Sequence, residues 1–171
     1  GLNANTKYYF QVRSDCGAEQ SNWSVASART ECGALTMDQI PYSENFEDVS
    51  TIYSSTQGNY ILCWDRYASD PDHYVYIPSN SYAHSGTHFL DFHHTNTCFN
   101  IAILPEMDAT INASDMMVSF YACRSGNTGS LEVGVMSDKE DPTTFETVSI
   151  IDLSAAETYE YVEQHISLED Y

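Results

Sequence analysis

The stretch MMVSFYACR at residues 116–124 decides the fold class of this chain, because its apolar side chains alternate along the sequence. Val118, Phe120 and Ala122 fall on one face of an extended strand, and the residues between them fall on the other. A period of two is typical of a strand with one face on a core and the other in solvent, whereas a helix needs a period of 3.6 residues.

Strand-like stretches on the C-terminal side continue this pattern. Ser130–Met136 alternates, and Gly134 inside it predicts a bulge or a close packing contact. Thr147–Ile151 and Tyr161–Leu168 also alternate, while Ala155–Tyr161 is the best helical candidate and a poor one. Short strands separated by turns predict an all-β, antiparallel two-sheet sandwich with under about a tenth helix.

A further alternating run, YYFQVR at residues 8–13, lies near the N-terminus. In sandwich domains a tyrosine at the start of a late strand hydrogen-bonds the backbone upstream of it. Tyr8 has that position here. The segments Tyr8–Asp15 and Val25–Thr30 predict a hairpin that is typical of the middle of a domain rather than its start.

The charge of the chain excludes several classes of partner. Twenty-five acidic and six basic residues give a formal net charge of −19. Nucleic acid is not expected as a partner, because phosphate binding needs clustered Lys and Arg, and an anionic membrane surface is excluded for the same reason. No stretch is apolar over the length of a transmembrane helix, so membrane insertion is not expected either. Excess carboxylate suits solubility and divalent cations.

Residues Leu2–Cys32, with SNWS at residues 21–24 inside them, resemble the end of a fibronectin type III domain. The variety in question is the secreted bacterial one that carries a cysteine on each of its last two strands. The resemblance implies that residues 1–35 are the C-terminal remnant of such a domain, within a larger modular protein. It places the chain in an extracellular or cell-surface context.

Four phrases in the remainder of the chain carry a second resemblance. In this order and spacing they resemble the MAM-like jelly-roll modules of Bacteroidetes surface proteins, including the adhesin modules that accompany secreted gingipain-type proteases. The phrases are PYSENFE at residues 41–47, HSGTHFL at 84–90, AILPEM at 102–107 and LEVGVMSD at 131–138, with Asp141, Pro142 and Phe145 after them.

This second resemblance implies that residues 36–171 form a two-sheet antiparallel jelly roll that binds glycan or host-protein ligands and does no catalysis. Modules of this family usually continue beyond the position of Tyr171 with one or two further strands. The expectation is therefore a jelly-roll module that lacks its last strands. Flanking modules of the same polypeptide are expected partners as well.

The cysteines lack the CxxC spacing of a structural zinc knuckle. The hairpin spacing and the fibronectin resemblance together predict a Cys16–Cys32 disulfide, which implies an oxidising, extracytoplasmic compartment. Cys98 and Cys123 lie in two strand-like runs and could pair. Cys63, beside Trp64, is expected to be a buried free thiol.

The MAM-like family often carries a structural calcium ion near the carboxylate of its first strand, and the resemblance places Glu47 at that position. Asp48 and Asp91 are the nearest plausible helpers by charge and loop placement, since calcium takes several oxygen ligands. Solvated acidic loops are the alternative. A zinc site among the histidines is less favoured, because Gly86 and the strand pattern after it argue against a helix that would align His84 and His88. His93 and His94 are the other histidines of this region.

Catalytic signatures are missing from the sequence. There is no GxSxG elbow, and Ser85 beside His84 has no orienting acid at a recognisable spacing. The function predicted is adhesion or recognition of carbohydrate or host protein. The alternatives are an accessory or catalytic module of a secreted hydrolase, and a spacer without a ligand. Tyrosines in loops could provide stacking surfaces for a ligand: Tyr53, Tyr60, Tyr67, Tyr74, Tyr76 and Tyr82.

Overall fold

The computed structural model describes residues 1–4, 6–48, 61, 63–70, 72–93, 98–126 and 130–171. Within these ranges the chain is all-β, with ten strands and three 3-10 helices of three residues each. The strands are β1 Lys7–Val12, β2 Ser24–Arg29, β3 Asp65–Ala68, β4 Tyr74–Tyr76, β5 Asp91–His93, β6 Asn100–Ile103, β7 Met117–Ala122, β8 Ser130–Met136, β9 Phe145–Asp152 and β10 Val162–Ser167. The short helices are Met37–Gln39, Ala113–Asp115 and Pro142–Thr144.

All of the strand pairs are antiparallel. β1 pairs with β2, β3 with β6, β4 with β5, β7 with β10, and β8 with β9. The predicted all-β class and low helix content are confirmed, and Ala155–Tyr161 forms turns rather than a helix. The jelly-roll arrangement of two larger sheets stays a prediction, and so does the division at residues 35 and 36.

One hydrophobic core lies among the strand pairs β3–β6 and β4–β5. Its buried side chains are Ile61, Val75 and Ile77. Val75 and Ile77 are fully buried, and aromatic and aliphatic side chains from several segments pack around them. The partly buried members are Phe46, Trp64, Leu90, Phe92 and Ala102.

A second core joins β7–β10 to β8–β9. Ala122, Ile151 and Leu153 are buried in it, and Phe120 and Leu131 pack against them with other strand side chains. The alternation in residues 116–124 therefore has the predicted effect, because the even-numbered side chains of β7 meet the core while the odd-numbered ones lie outside.

Gly134 interrupts the register of β8 and β9. The pairing shifts between Val133 and Gly134, so the bulge predicted from the glycine is confirmed. A Cβ atom built on Gly134 would lie 2.3 Å from the carbonyl oxygen of Glu146. The close approach of the two backbones at this point thus requires a residue without a side chain.

The β1–β2 hairpin has the predicted pairing and very little burial. Five of the six β1 residues and all six of β2 are exposed. The hydroxyl oxygen of Tyr8 accepts a hydrogen bond of 2.9 Å from the backbone N–H of Asn3, so the predicted contact with upstream backbone is confirmed. Leu35 ties the hairpin to the rest of the chain, because it is buried and its backbone bonds to both Glu106 and Asp108.

The predicted Cys16–Cys32 disulfide is wrong. Cys32 instead bonds to Cys63, with 5.5 Å between the two Cα atoms, and Cys16 is an exposed free thiol. The hairpin register explains the error, because Cys16 lies beyond one end of β2 and Cys32 beyond the other. The six-residue strand between them spans about 20 Å at 3.3–3.4 Å per residue, far beyond the reach of a disulfide. The prediction that Cys63 is a free thiol is also wrong, because Cys63 forms the disulfide with Cys32.

Aspartate side chains close many of the turns between these strands. In each case the carboxylate accepts a hydrogen bond from the backbone N–H two residues later, which is an Asx turn. Asp108, Asp141 and Asp152 do this with distances of 2.9, 2.9 and 2.8 Å. Part of the acidic surface is therefore turn structure rather than solvated charge alone.

Candidate functional site

Five ring side chains from distant parts of the sequence lie together and form an aromatic patch. Three of them are strongly exposed, since Tyr82, Tyr121 and Tyr159 keep 49%, 46% and 41% of their surface in solvent. The patch consists of Tyr82, His84, Tyr121, Tyr159 and Tyr161.

The rings of the patch form two stacked pairs. The centroids of Tyr82 and Tyr159 are 4.1 Å apart with the planes 4° from parallel. His84 stacks on Tyr121 at 3.8 Å and 11°, and the ring of Tyr161 meets His84 edge-on at 5.1 Å. The hydroxyl of Tyr161 donates a hydrogen bond of 2.8 Å to the carbonyl oxygen of Tyr82, which fixes the loop against β10.

The strand pattern explains why Tyr121 belongs to this surface. Its neighbour Ala122 is buried in the second core, and successive side chains of a strand point to opposite faces. Glu163 of β10 lies directly opposite Tyr121 in the β7–β10 register, so the two side chains share the outer face.

Arg124 holds the segment that carries Tyr159. Its Nε donates a hydrogen bond of 2.7 Å to the carbonyl oxygen of Ala156, and its own carbonyl oxygen accepts one of 2.9 Å from the N–H of Tyr159. Tyr159 has a φ of +64°, a left-handed conformation that a tyrosine adopts only when its surroundings enforce it. The exposed ring is thus fixed in place by the backbone around it.

Two tyrosines of the patch are held as neutral phenols. Burial, with a contact to the Cys123 thiol, raises the pKa of Tyr161. The hydrogen bond to the Glu163 carboxylate raises the pKa of Tyr121. The Glu163 carboxylate also lies 3.5 Å from Nε2 of His165. Flat apolar rings, a hydrogen-bonding carboxylate and an imidazole therefore share one face.

Of the predicted ligand-binding tyrosines, the patch contains only Tyr82. Tyr74 and Tyr76 lie on β4 with their rings 5.5 Å apart and both contact His93. Tyr67 contacts Phe99 at 5.7 Å. The two remaining predicted residues, Tyr53 and Tyr60, lie outside the described residues.

Sequence reasoning missed the other four members of the patch. Tyr121 had a usable signal, because it is an aromatic residue on the outward side of an alternating strand. His84 stood among the candidate metal ligands instead. Tyr159 and Tyr161 belong to the segment considered as a poor helix, where neither orientation nor neighbours could be assigned.

Glu47, the predicted calcium ligand, is enclosed by hydrogen-bond donors of the loop at residues 86–88. Its Oε1 accepts hydrogen bonds of 2.8 Å from the backbone N–H groups of both Thr87 and His88. Its Oε2 accepts one of 3.1 Å from the Thr87 hydroxyl and lies 3.3 Å from Nδ1 of His88. The carboxylate thus connects the loop at residues 86–88 to the segment around Glu47.

The other predicted calcium ligands have separate surroundings. Asp91 accepts a hydrogen bond of 3.0 Å from the hydroxyl of Tyr76, and Asp48 is exposed. The calcium hypothesis stays a prediction, and binding would require Glu47 to exchange its present hydrogen bonds for the ion. The described residues that bring mixed metal-ligand chemistry together are Asp70, His73 and Cys98.

We expect Glu47 to make the stability of the protein depend on acid pH. The two backbone N–H donors of His88 and Thr87 lower its pKa from 4.5 to about 2. A lowered pKa stabilises the fold fully above about pH 4.5, and this stabilisation is lost as the pH falls towards 2. In Glu47→Gln the melting temperature should fall near neutral pH, because a neutral amide oxygen accepts those hydrogen bonds less strongly than a carboxylate does. The difference from the wild type should close near pH 2.

Thermal melting followed by circular dichroism between pH 2 and 7 measures this effect. Glu146→Gln is the matched control, since it removes an exposed carboxylate from β9. A constant difference between wild type and Glu47→Gln across the whole range would contradict the assignment.

A groove of 530 Å³ runs between β9 and β10 on the side of the second core. Its walls are mainly aliphatic, and its acidic lining residues are Asp152 and Glu160. The Asp152 carboxylate already closes a turn by accepting from the N–H of Ser154. The groove therefore offers a poor setting for paired acid–base chemistry.

No protein-family model, curated protein or solved structure matches this chain. The fibronectin and MAM-like resemblances accordingly stay predictions. In the part of the chain that the structure describes, no helix has the length and apolar character needed to cross a membrane.

Proposed function

We propose that this chain is a non-catalytic extracellular recognition module that binds carbohydrate on the aromatic patch. The observation that carries the proposal is the set of exposed, stacked rings formed by Tyr121 of β7 and by rings from the segments beside β7 and β10. Sugar rings present apolar C–H faces that pack on aromatic faces, while their hydroxyls need hydrogen-bond partners. The patch provides both kinds of contact.

The polar groups beside the rings suit sugar hydroxyls. The Glu163 carboxylate has two oxygens that accept hydrogen bonds, and the phenol oxygen of Tyr121, whose proton is directed at Glu163, can accept one as well. Ser119 and His165 extend this polar border along the same two strands, with 3.0 Å between the serine oxygen and Nδ1 of the histidine.

The charge of the chain narrows the ligand class. A net charge of −19 repels polysaccharides that carry carboxylate or sulfate groups. The proposed ligand is therefore a neutral or amino-bearing glycan. A host protein is the other predicted ligand, and binding of protein but not glycan would decide in its favour.

The Cys32–Cys63 disulfide supports an extracellular or surface location, because such bonds persist in oxidising compartments. The all-β fold is the support for the proposed MAM-like adhesin jelly roll after a fibronectin type III remnant. A role as accessory or catalytic module of a secreted hydrolase remains the alternative proposal.

We expect Tyr121→Ala and Tyr159→Ala each to weaken glycan binding by roughly 2- to 12-fold. An aromatic contact contributes about 0.5–1.5 kcal/mol beyond its buried area, which corresponds to that range. A panel of neutral, amino-bearing and acidic glycans identifies the ligand, and calorimetric titration then compares the variants. Tyr9→Ala is the matched control, because Tyr9 is a similarly exposed tyrosine on the hairpin.

Circular dichroism spectra should show that the variants keep their fold. Equal affinities of Tyr121→Ala, Tyr159→Ala and Tyr9→Ala for the same glycan would remove the patch as the binding site. A preference for acidic over neutral glycans would contradict the proposed ligand class.

A further inference from the structure

We propose that Asp70, His73 and Cys98 form a zinc-binding site, which we name the Asp–His–Cys site. The three ligand atoms lie within 4.8 Å of one another. The site belongs to the turn between β3 and β4 and to the segment entering β6, and shares no residue with the aromatic patch.

The strand register brings Asp70 and Cys98 together. β3 pairs with β6 so that Ala68 lies opposite Asn100. Two more steps along this register put Asp70 opposite Cys98, and directly opposed residues of an antiparallel pair share a face. The N–H of Ser69 donates a hydrogen bond of 3.0 Å to the carbonyl oxygen of Phe99, which continues the pairing beyond the named strands.

A tight turn brings His73 to the same place. Asp70 and His73 form an antiparallel bridge, and the N–H of His73 donates a hydrogen bond of 3.1 Å to the carbonyl oxygen of Asp70. The Asp70 carboxylate accepts a hydrogen bond of 2.8 Å from the N–H of Asp72, which fixes its orientation in the turn. The positions of Asp70 and His73 are thus set by hydrogen bonds to backbone N–H groups of the turn.

The ring of His73 has a buried nitrogen that calls for a partner. Nδ1 is shielded from solvent and makes no hydrogen bond with the described residues. Oδ1 of Asp70 lies 3.4 Å away, an ion-pair distance, but the contact does not have hydrogen-bond geometry. Buried polar atoms are nearly always satisfied, so an orphaned one points to an absent ligand. The ring of His93 stacks on His73 at 6.0 Å and 11° and holds its orientation.

The ligand set and spacing identify the metal. Zinc binds thiolate, imidazole and carboxylate at about 2.0–2.3 Å in tetrahedral geometry, which puts its ligand atoms about 3.3–3.8 Å apart. A separation of up to 4.8 Å requires a contraction of about 1 Å when zinc binds. Calcium prefers oxygen ligands only, so a site with one sulfur and one nitrogen excludes it. Water or a ligand group completes the tetrahedron.

Zinc binding at this site releases one proton. Cys98 loses its thiol proton to solvent as the Zn–S bond forms, His73 binds through its neutral ring nitrogen, and Asp70 binds as a carboxylate. The negative charge of the chain raises the local concentration of cations.

The test is a titration of the whole chain with Zn²⁺ in competition with a chromophoric chelator, and with Co²⁺ as a spectroscopic probe. We expect one equivalent to bind and the Co²⁺ form to show a thiolate charge-transfer band. Cys98→Ser should abolish the band and weaken Zn²⁺ binding by at least about 100-fold, because loss of even a residue that only orients a ligand costs about 10- to 100-fold. Asp70→Asn should weaken binding in the same direction.

Matched controls separate this site from other thiols and carboxylates. Cys16→Ser removes a thiol and Asp72→Asn removes a carboxylate, both outside the site. Each variant should bind Zn²⁺ as the wild type does. In wild-type protein, Zn²⁺ should also slow alkylation of Cys98 but not of Cys16, a readout that needs no variant to fold. An unchanged alkylation rate at Cys98, or a charge-transfer band retained in Cys98→Ser, would overturn the proposal.

Discussion

Replacing both Cys32 and Cys63 with alanine should lower the free energy of unfolding by about 3.5–4 kcal/mol. The disulfide joins residues separated by 31 positions, and the loop-closure entropy of a cross-link of this length gives that value. The expected loss is a large part of the whole, because small domains are stable by only about 5–15 kcal/mol. Denaturant unfolding followed by tryptophan fluorescence measures it, since Trp64 lies beside Cys63 in the first core.

The bond also connects the β1–β2 hairpin to the first core. The hairpin itself is almost fully exposed, and an isolated two-stranded hairpin is marginally stable in water. Cys16→Ala is the control and should change stability by less than about 0.5 kcal/mol, as exposed positions do. Peptide mapping that recovers Cys16 linked to Cys32 would contradict the assignment outright.

Ile77→Ala should cost about 2–5 kcal/mol of unfolding free energy. Ile77 has 0% of its surface exposed and lies in the first core beside Val75 and Ile61. Truncation removes apolar contacts and leaves a cavity that its neighbours fill only in part, which is the basis of that range. Chemical denaturation at 25 °C gives the value directly.

Ile150→Ala is the matched control for this prediction. Ile150 is the same residue type on β9, but 64% of its surface is in solvent. Its truncation should change the unfolding free energy by about 0.5 kcal/mol or less. A loss in Ile77→Ala as small as the one expected for Ile150→Ala would mean that the first core does not depend on Ile77.

The strands of the C-terminal half could be predicted because their signal is local. A period of two in residues 116–124 requires one face to be buried, and β7 follows it residue by residue. Gly134 and Tyr8 also carried local signals, a bulge and a hydrogen bond to upstream backbone, and both are present.

The disulfide could not be predicted in the same way. Cys32 and Cys63 come from different segments, and only the fold brings their Cα atoms to 5.5 Å. Hairpin spacing suggested Cys16 as partner, but the register between β1 and β2 separates it from Cys32 by the length of a strand.

The aromatic patch and the Asp–His–Cys site are non-local for similar reasons. Tyr82 and Tyr159 stack although they are far apart in sequence, and the residue types alone do not identify the contact. Asp70 and Cys98 meet because β3 pairs with β6, a crossover that skips the β4–β5 pair. Composition indicated aromatic and acidic surfaces, but the topology decided which residues share them.

The Asx turns make this protein take up protons when it unfolds. Hydrogen bonds from the following Thr or Ser residues lower the pKa of Asp108, Asp141 and Asp152 in the folded chain. Once these turns open, the carboxylates regain their ordinary affinity for protons, so the unfolded state binds more of them in acid. By linkage, the free energy of unfolding rises with pH through the acid range. The stabilisation from these turns is lost as the pH falls through the lowered pKa values. The same carboxylates that shape the loops therefore make the folded chain less stable in acid.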